Sequence, residues 1–169
     1  MVKRISLREF QTHLASRLSG VMDQRAAEFL GVQSGEDFWL LRLSDSGEIT
    51  PMTPLADVPL TKFWFVGIAN IRGRLYSVVD FSAFRGKQVT PQNASARLLL
   101  IGTRYGSNAA LLMTRMLGLR NADDLTPTAI EQEAPGWVSE AYTDKDGQYW
   151  RVLNVKRLLV DESFMDISA

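Results

Sequence analysis

The stretch from Phe63 to Phe84, FWFVGIANIRGRLYSVVDFSAF, leaves this chain few folds to choose from. Phe63, Trp64, Phe65, Val66 and Ile68 on one side of its middle, and Tyr76, Val78, Val79 and Phe81 on the other, are aromatic or β-branched, residues that suit a half-buried pleated surface. Between them stands Asn70-Ile71-Arg72-Gly73-Arg74. Gly73 takes a positive φ without steric cost and Asn70 can bond its own backbone, so the run predicts a strand, a tight connection and a strand. Arg72 and Arg74 then occupy an exposed corner.

The rest of the chain repeats that pattern. Leu30 to Ser34 and Phe38 to Leu43 form a hairpin around Gly35-Glu36-Asp37, and Arg97 to Thr103 and Asn108 to Met116 form another around Tyr105-Gly106-Ser107. A third joins Trp137 to Thr143 with Gln148 to Asn154 through Asp144-Lys145-Asp146-Gly147, an Asp-Gly turn. Pro51, Pro54 and Pro59 exclude a central strand or helix interior from their segment, which reads as an ordered surface connection. Thr126-Pro127 and Pro135-Gly136 bracket an acidic segment, a turn of helix or a loop. The polar link from Arg85 to Ser95 is taken as the join between two halves, with a second barrel beginning at Arg97. Helix is sparse: Ser6-Leu7-Arg8-Glu9 is a capping box, followed by an apolar stripe at Leu7, Phe10, Leu14, Leu18 and Val21. That stripe suits packing against its own domain or against a partner. These signs describe an all-β chain of two small barrels packed together, with an N-terminal helix.

Chemistry is thinly represented. There is no cysteine, and His13 alone cannot build a two- or three-imidazole zinc site. No G-x-S-x-G frames a nucleophile, and Gly86-Lys87 lacks both the earlier glycine and the following hydroxyl of a phosphate-binding loop. Asp144-Lys145-Asp146-Gly147 places glycine at the wrong position for a calcium loop, and Asp123-Asp124 is a solvated acidic pair. Neither a cofactor nor a metal is expected, and enzymatic activity is not. Hydrophobic residues at 46% and charged residues at 22% exclude wholesale disorder, while no run approaches a membrane span or a signal peptide, so a soluble, cytoplasmic protein is expected.

Charge is sorted along the chain although it sums to zero. From Lys62 to Arg120 nine basic residues face only Asp80, whereas from Asn121 onward ten acidic residues face four basic ones. The basic middle either docks an acidic protein face or a phosphate backbone, or pairs internally.

Gly67-Ile68-Ala69-Asn70-Ile71-Arg72-Gly73, followed by Val78-Val79-Asp80-Phe81, resembles the signature of the chemotaxis coupling (CheW-like) family, and its Ala-Asn-Ile-Arg-Gly wording after Trp64-Phe65 is closest to members serving type IV pili and twitching motility. The resemblance runs from about Leu30 to Val160. It implies two five-stranded SH3-like barrels over 29–160, intertwined and joined near 85–95, closing at Leu153 to Leu159 in a strand and a short C-terminal helix, with a helical extension at 1–28 and a tail at 161–169. It further implies a non-catalytic adaptor, recruited to membrane receptor arrays, that couples the cytoplasmic tip of a methyl-accepting chemoreceptor to the regulatory domain of a CheA-like histidine kinase. Arg72, Asn70, Glu48, Ile49 and Arg74 are then the partner-binding residues, and Gly67, Gly73 and Asp80 shape the turn that carries them. Ser46 stands where the family often has valine, and Ser77 where proline is common. The alternative is a small nucleic-acid-binding barrel that uses the basic middle segment, which would show steep salt dependence where the adaptor would not.

Overall fold

The central strands β7 and β8 of this protein, Arg97–Ile101 and Ala109–Met113, are buried on both faces, and that sets the architecture. In a computed structural model that describes residues 27–169, Leu98 and Leu100 of one strand point into one core while Leu99 and Ile101 point into another. Continuous apolar runs such as Leu98 to Ile101 are the sequence form of that two-sided burial, since neighbouring side chains leave a strand on opposite faces.

Twelve strands form two six-stranded sheets. The first contains β1 (Ala27–Ser34), β2 (Asp37–Arg42), β9 (Arg115–Asn121), β10 (Thr126–Thr128), β11 (Val138–Thr143) and β12 (Tyr149–Leu153), in the order β10-β11-β12-β2-β1-β9. The second contains β3 (Ser46–Pro51), β4 (Leu55–Ala56), β5 (Phe65–Ile71), β6 (Arg74–Asp80), β7 (Arg97–Ile101) and β8 (Ala109–Met113), in the order β3-β7-β8-β6-β5-β4. Each sheet has a single parallel pair, β12 with β2 and β6 with β8, among antiparallel neighbours. Three short helices, α1 (Phe81–Phe84), α2 (Val155–Leu158) and α3 (Glu162–Met165), complete the described residues. The all-β expectation is met. Each sheet carries one more strand than the five expected, a two- or three-residue strand at its edge, β4 or β10. Pro127 lies in β10 and Pro51 ends β3, both at sheet edges, where a missing N–H breaks no ladder.

From Ala27 the chain runs through β1 and β2 of the first sheet, builds the whole of the second, and returns. It leaves after β2 through Leu43 to Asp45 and comes back through Thr114 alone. Thr114 is pinned at that crossing: its N–H donates to the Gln33 carbonyl at 2.9 Å and its Oγ1 accepts from the Gly35 N–H at 2.9 Å. The segment 85–95 is therefore not the join between halves; it links β6 to β7 inside one sheet, and β7 and β8 extend that sheet instead of opening a second barrel. A polar loop looks the same in sequence whether the next strand pairs in the same sheet or another.

Three cores follow. One lies within the second sheet around Tyr76, Val78, Leu98 and Leu112, and one within the first around Phe29, Leu40, Trp150 and Val152. The largest fills the seam between sheets, where Val32, Trp39 and Leu41 meet Val79, Leu99, Ile101 and Leu111. Aromatic rings run along this seam: Trp39 contacts Phe81 at 5.0 Å and Trp137 at 5.7 Å, and Phe84 contacts Trp64 at 5.1 Å and Phe164 at 5.3 Å. Such pairs add about 0.5–1.5 kcal/mol each beyond the area they bury.

One half-buried ion pair also crosses the seam. Arg85, just past α1, reaches Asp37 on β2 with Nη1 to Oδ2 at 2.5 Å, donates to the Ser34 carbonyl at 3.0 Å, and lies over the Trp39 ring at 5.0 Å. Burial opposes ionisation of Asp37, but the Arg85 hydrogen bond and the charges of Arg85 and Arg151 outweigh it and hold its carboxyl below the ordinary value of 3.8.

The C-terminal residues 161–169 are docked against the rest of the chain. Phe164 is buried in the seam, the Lys62 N–H donates to the Ile167 carbonyl at 2.8 Å, and Ala169 N–H donates to the Leu60 carbonyl at 3.1 Å. The capping-box helix expected between Ser6 and Val21 lies outside the described residues; the extension assigned to 1–28 overlaps β1, which begins at Ala27. No helix among the described residues is long and apolar enough to cross a membrane.

Candidate partner-binding site

The turn between β5 and β6 is tighter than its glycine alone implies. Ile71 pairs with Arg74, so only Arg72 and Gly73 connect the strands, and both have positive φ, 53° and 81°. Positive φ at both central residues is the geometry that matches the right-handed twist of a two-residue hairpin. Glycine adopts it freely; Arg72 does so at a steric cost. The Asn70 side chain helps hold it there, its Oδ1 accepting the Gly73 N–H at 3.0 Å.

Arg72 is not bonded to Asp80 or to nearby carbonyls. Its guanidinium makes a two-armed contact with Glu48 of β3, Nη2 to Oε1 at 2.6 Å and Nη1 to Oε2 at 3.0 Å. Three strands separate β3 from β5 in the sheet, so this contact requires the second sheet to curl until its first strand meets the far hairpin, as in a barrel. The Arg72 side chain remains 79% exposed. An exposed pair of this kind contributes about 0–1 kcal/mol to stability, so the fork orients Arg72 more than it holds the fold.

Around the fork lie the other residues named from the sequence. Ile49 follows Glu48 on the same edge strand and is exposed; a bulge between Ser46 and Ile49 leaves both turned outward. Asn70 and Arg74 are exposed at the hairpin end, and Arg74 has no ion-pair partner among the described residues. Leu75, 60% exposed, extends the patch and was not singled out by the sequence, because a leucine in a strand pattern reads as core. In the turn between β7 and β8, Tyr105 donates its hydroxyl to Asp45 Oδ1 at 2.7 Å, and that hydrogen bond raises its pKa above the ordinary 10.0.

Two of the three residues expected to shape the turn act elsewhere. Gly67, with φ 132°, sits in a bulge of β5 where an added Cβ would lie 2.5 Å from the Ala56 carbonyl oxygen; it lets β4 approach. Asp80, fully buried at the opposite end of β6, caps α1 and anchors the following loop. Its Oδ1 accepts the N–H of Ser82 at 3.1 Å and of Ala83 at 3.2 Å and the Thr90 hydroxyl at 2.7 Å, while Oδ2 accepts the Thr90 N–H at 2.7 Å. Only Gly73 belongs to the turn itself.

Four of the nine basic residues in the middle segment are engaged in ion pairs within the chain. Arg72, Arg85 and Arg104 of the basic middle pair with Glu48, Asp37 and Asp45 from the earlier part of the sequence, and Lys62 pairs with Asp166. Later acids pair with bases of the same segment, Asp124 with Lys145 and Glu131 with Arg151, and with earlier ones, Glu140 with Arg42 and Asp166 with Lys62.

A family model described as CheW-like domain matches residues 28–163, most of the chain. The chain belongs to the CheW-like family. Among curated proteins, Protein PilI of Pseudomonas aeruginosa is 23% identical over 145 residues, covering 82% of this chain and 79% of that protein. Among solved structures, the scaffolding protein TtCheW from Thermoanaerobacter tengcongensis superposes with a TM-score of 0.62 at 16% identity, covering 74% of this chain and 86% of that one. The two-sheet β architecture is thus a CheW-like fold, and the Arg72 hairpin lies within the residues that the family model matches.

Proposed function

We propose that this chain is a non-catalytic adaptor that couples a methyl-accepting chemoreceptor to a CheA-like histidine kinase, in a pathway controlling type IV pilus twitching motility. One observation carries the reading: an arginine fixed on a two-residue turn, oriented by a carboxylate on a neighbouring edge strand, and left exposed beside Ile49 and Leu75. An arginine restrained in this way loses little entropy when it binds, and arginine is enriched where interfaces derive most of their energy. Exposed apolar neighbours supply the area that a charged contact alone lacks. Membership of the CheW-like family and similarity to PilI along most of both chains support the signalling role and the pilus output. In this reading the protein works in the cytoplasm and is drawn to receptor arrays by its partners.

The test is calorimetric titration of the full chain with the regulatory domain of a CheA-like kinase from the same organism, at two salt concentrations, then with the receptor tip. Saturable one-to-one binding is expected, and Arg72→Glu should weaken binding to at least one partner by about tenfold or more while the fold is kept. A variant that binds both partners like the parent refutes the role given to Arg72. Failure of the parent to bind any such kinase, together with steeply salt-dependent binding to single-stranded nucleic acid, refutes the adaptor reading itself.

A further inference from the structure

An open groove of about 740 Å³ lies between the start of β6, the turn joining β7 to β8, and helices α2 and α3. Its apolar lining is accessible from outside: Leu75, Val160 and Met165 are 60%, 74% and 61% exposed, and Tyr105 is 38% exposed. Single exposed aliphatic residues are ordinary on a protein surface, but three large ones gathered in one concave site mark a surface that something covers.

The same chain carries an apolar stripe that needs a face. Leu7, Phe10, Leu14 and Leu18 recur at three- and four-residue spacing behind the capping box Ser6 to Glu9, within residues 1–26 that precede the described ones. A helix of that length is marginal in water by itself and draws its stability from packing its apolar side.

The start of β1 brings stripe and groove within reach of each other. Residue 26 joins β1 at Ala27, and beside it the Glu28 carbonyl accepts the Leu43 N–H at 3.1 Å. Two residues further on, at most about 7 Å away along the chain, Asp45 accepts the hydroxyl of Tyr105, which lines the groove. Residues 19–26 span up to about 28 Å when extended, enough to turn back from Ala27 and lay a helix of residues 6–18, about 20 Å long, along the groove. Charge suits the same placement. Residues 1–26 carry Lys3, Arg4, Arg8, Arg17 and Arg25 against Glu9 and Asp23, and Glu162, on the same short helix as Met165, is exposed with no ion-pair partner among the described residues. Lys156 is the one charged side chain that lines the groove itself.

We propose that the amphipathic segment from Leu7 to Leu18 folds back as a helix into this groove of its own chain, setting its apolar stripe against Leu75, Val160 and Met165. Leu75 also borders the Arg72 corner, so the docked segment covers one side of the surface assigned to partners. The docking itself does not rest on the adaptor reading.

The chain has no cysteine, so Lys156→Cys places a single nitroxide spin label at the groove. In isotope-labelled full chain carrying the label, the amide NMR signals of residues 7–18 should lose most of their intensity. They should keep it when the label is carried only by a second, isotope-free copy. Trypsin cleavage after Arg8 and Arg17 then reads how often the segment is undocked. Leu14→Asp and, separately, Val160→Asp, which alters an exposed side chain, should each speed that cleavage about tenfold or more, the effect of exchanging one apolar contact for a charge. Unchanged cleavage in either variant overturns the proposal, as does the absence of broadening within one chain. Broadening only between copies assigns the groove to a second molecule and overturns it also. None of these measurements involves a kinase or a receptor, so failure here leaves the adaptor reading as it stands.

Discussion

Replacing Asp80 tests what the second half of the signature is for. The carboxylate has no exposed surface and satisfies three backbone N–H groups and one hydroxyl, all within residues 82–90. In Asp80→Ala the α1 cap is lost, at about 1 kcal/mol. The buried Thr90 N–H also loses its acceptor, at about 1–3 kcal/mol. The expected total is about 3 kcal/mol, with part recovered where water reaches the loop. For a chain of this size that lowers Tm by roughly 6–12 °C. Asp80→Asn should cost less, because its carbonyl can still accept from Ser82, Ala83 or the Thr90 hydroxyl, yet its NH₂ would confront the Thr90 N–H. Urea denaturation of both variants gives the magnitudes, and a double-mutant cycle with Thr90→Ala isolates the shared hydrogen bond, with a coupling of about 1 kcal/mol or more expected. Amide shifts should concentrate at 82–90 and leave Gly73 nearly unmoved. A loss under about 1 kcal/mol for Asp80→Ala, or shifts centred on the Arg72 turn, would show that this carboxylate does not anchor the loop.

Three further outcomes follow from the packing. Gly67→Ala puts a Cβ 2.5 Å from the Ala56 carbonyl oxygen at a φ of 132°; it should destabilise by about 2 kcal/mol or more and detach β4, seen as faster amide exchange at 55–56. Phe164→Ala removes a buried ring set edge-on to Phe84; about 3 kcal/mol should be lost and the segment after Asp161 should become protease-sensitive, whereas resistance equal to the parent's would show that the C-terminus is held by other contacts. The folded Asp37 carboxyl lies below its ordinary 3.8, so its ionised form stabilises the fold at pH values above 3.8 and that contribution disappears as pH falls through the lower folded value. Between pH 7 and pH 3 the parent should therefore lose more stability than Asp37→Asn, measured by urea denaturation at each pH, and parallel curves would contradict this.

Local physics made much of the architecture readable. Alternating or continuous runs of β-branched, aromatic and aliphatic residues, separated by Gly35, Gly73 and Asp146-Gly147, marked the principal hairpins, because strand period and turn conformation are properties of a few adjacent residues. The same locality explains the misreadings. Asp80 is near Arg72 in sequence, but β6 lies between them, so a strand's length carried the carboxylate to the other end of the sheet. Gly67 belongs to the signature and yet serves β4, a contact set by the pairing of Leu55 with Ala69.

What the sequence determined by itself was therefore the principal hairpins and their turns, the absence of cysteine and the exposed arginine corner, while β3, β4, β9 and β10 were not read from it. Tertiary structure decided which sheet each strand joined, that Thr114 rather than 85–95 is the final crossing, that Glu48 is the partner of Arg72, and that residues 161–169 close against Lys62. These are contacts between residues tens of positions apart. They depend on which of several similar apolar faces bury one another, and side chains that alternate correctly along a strand do not say which face they will meet.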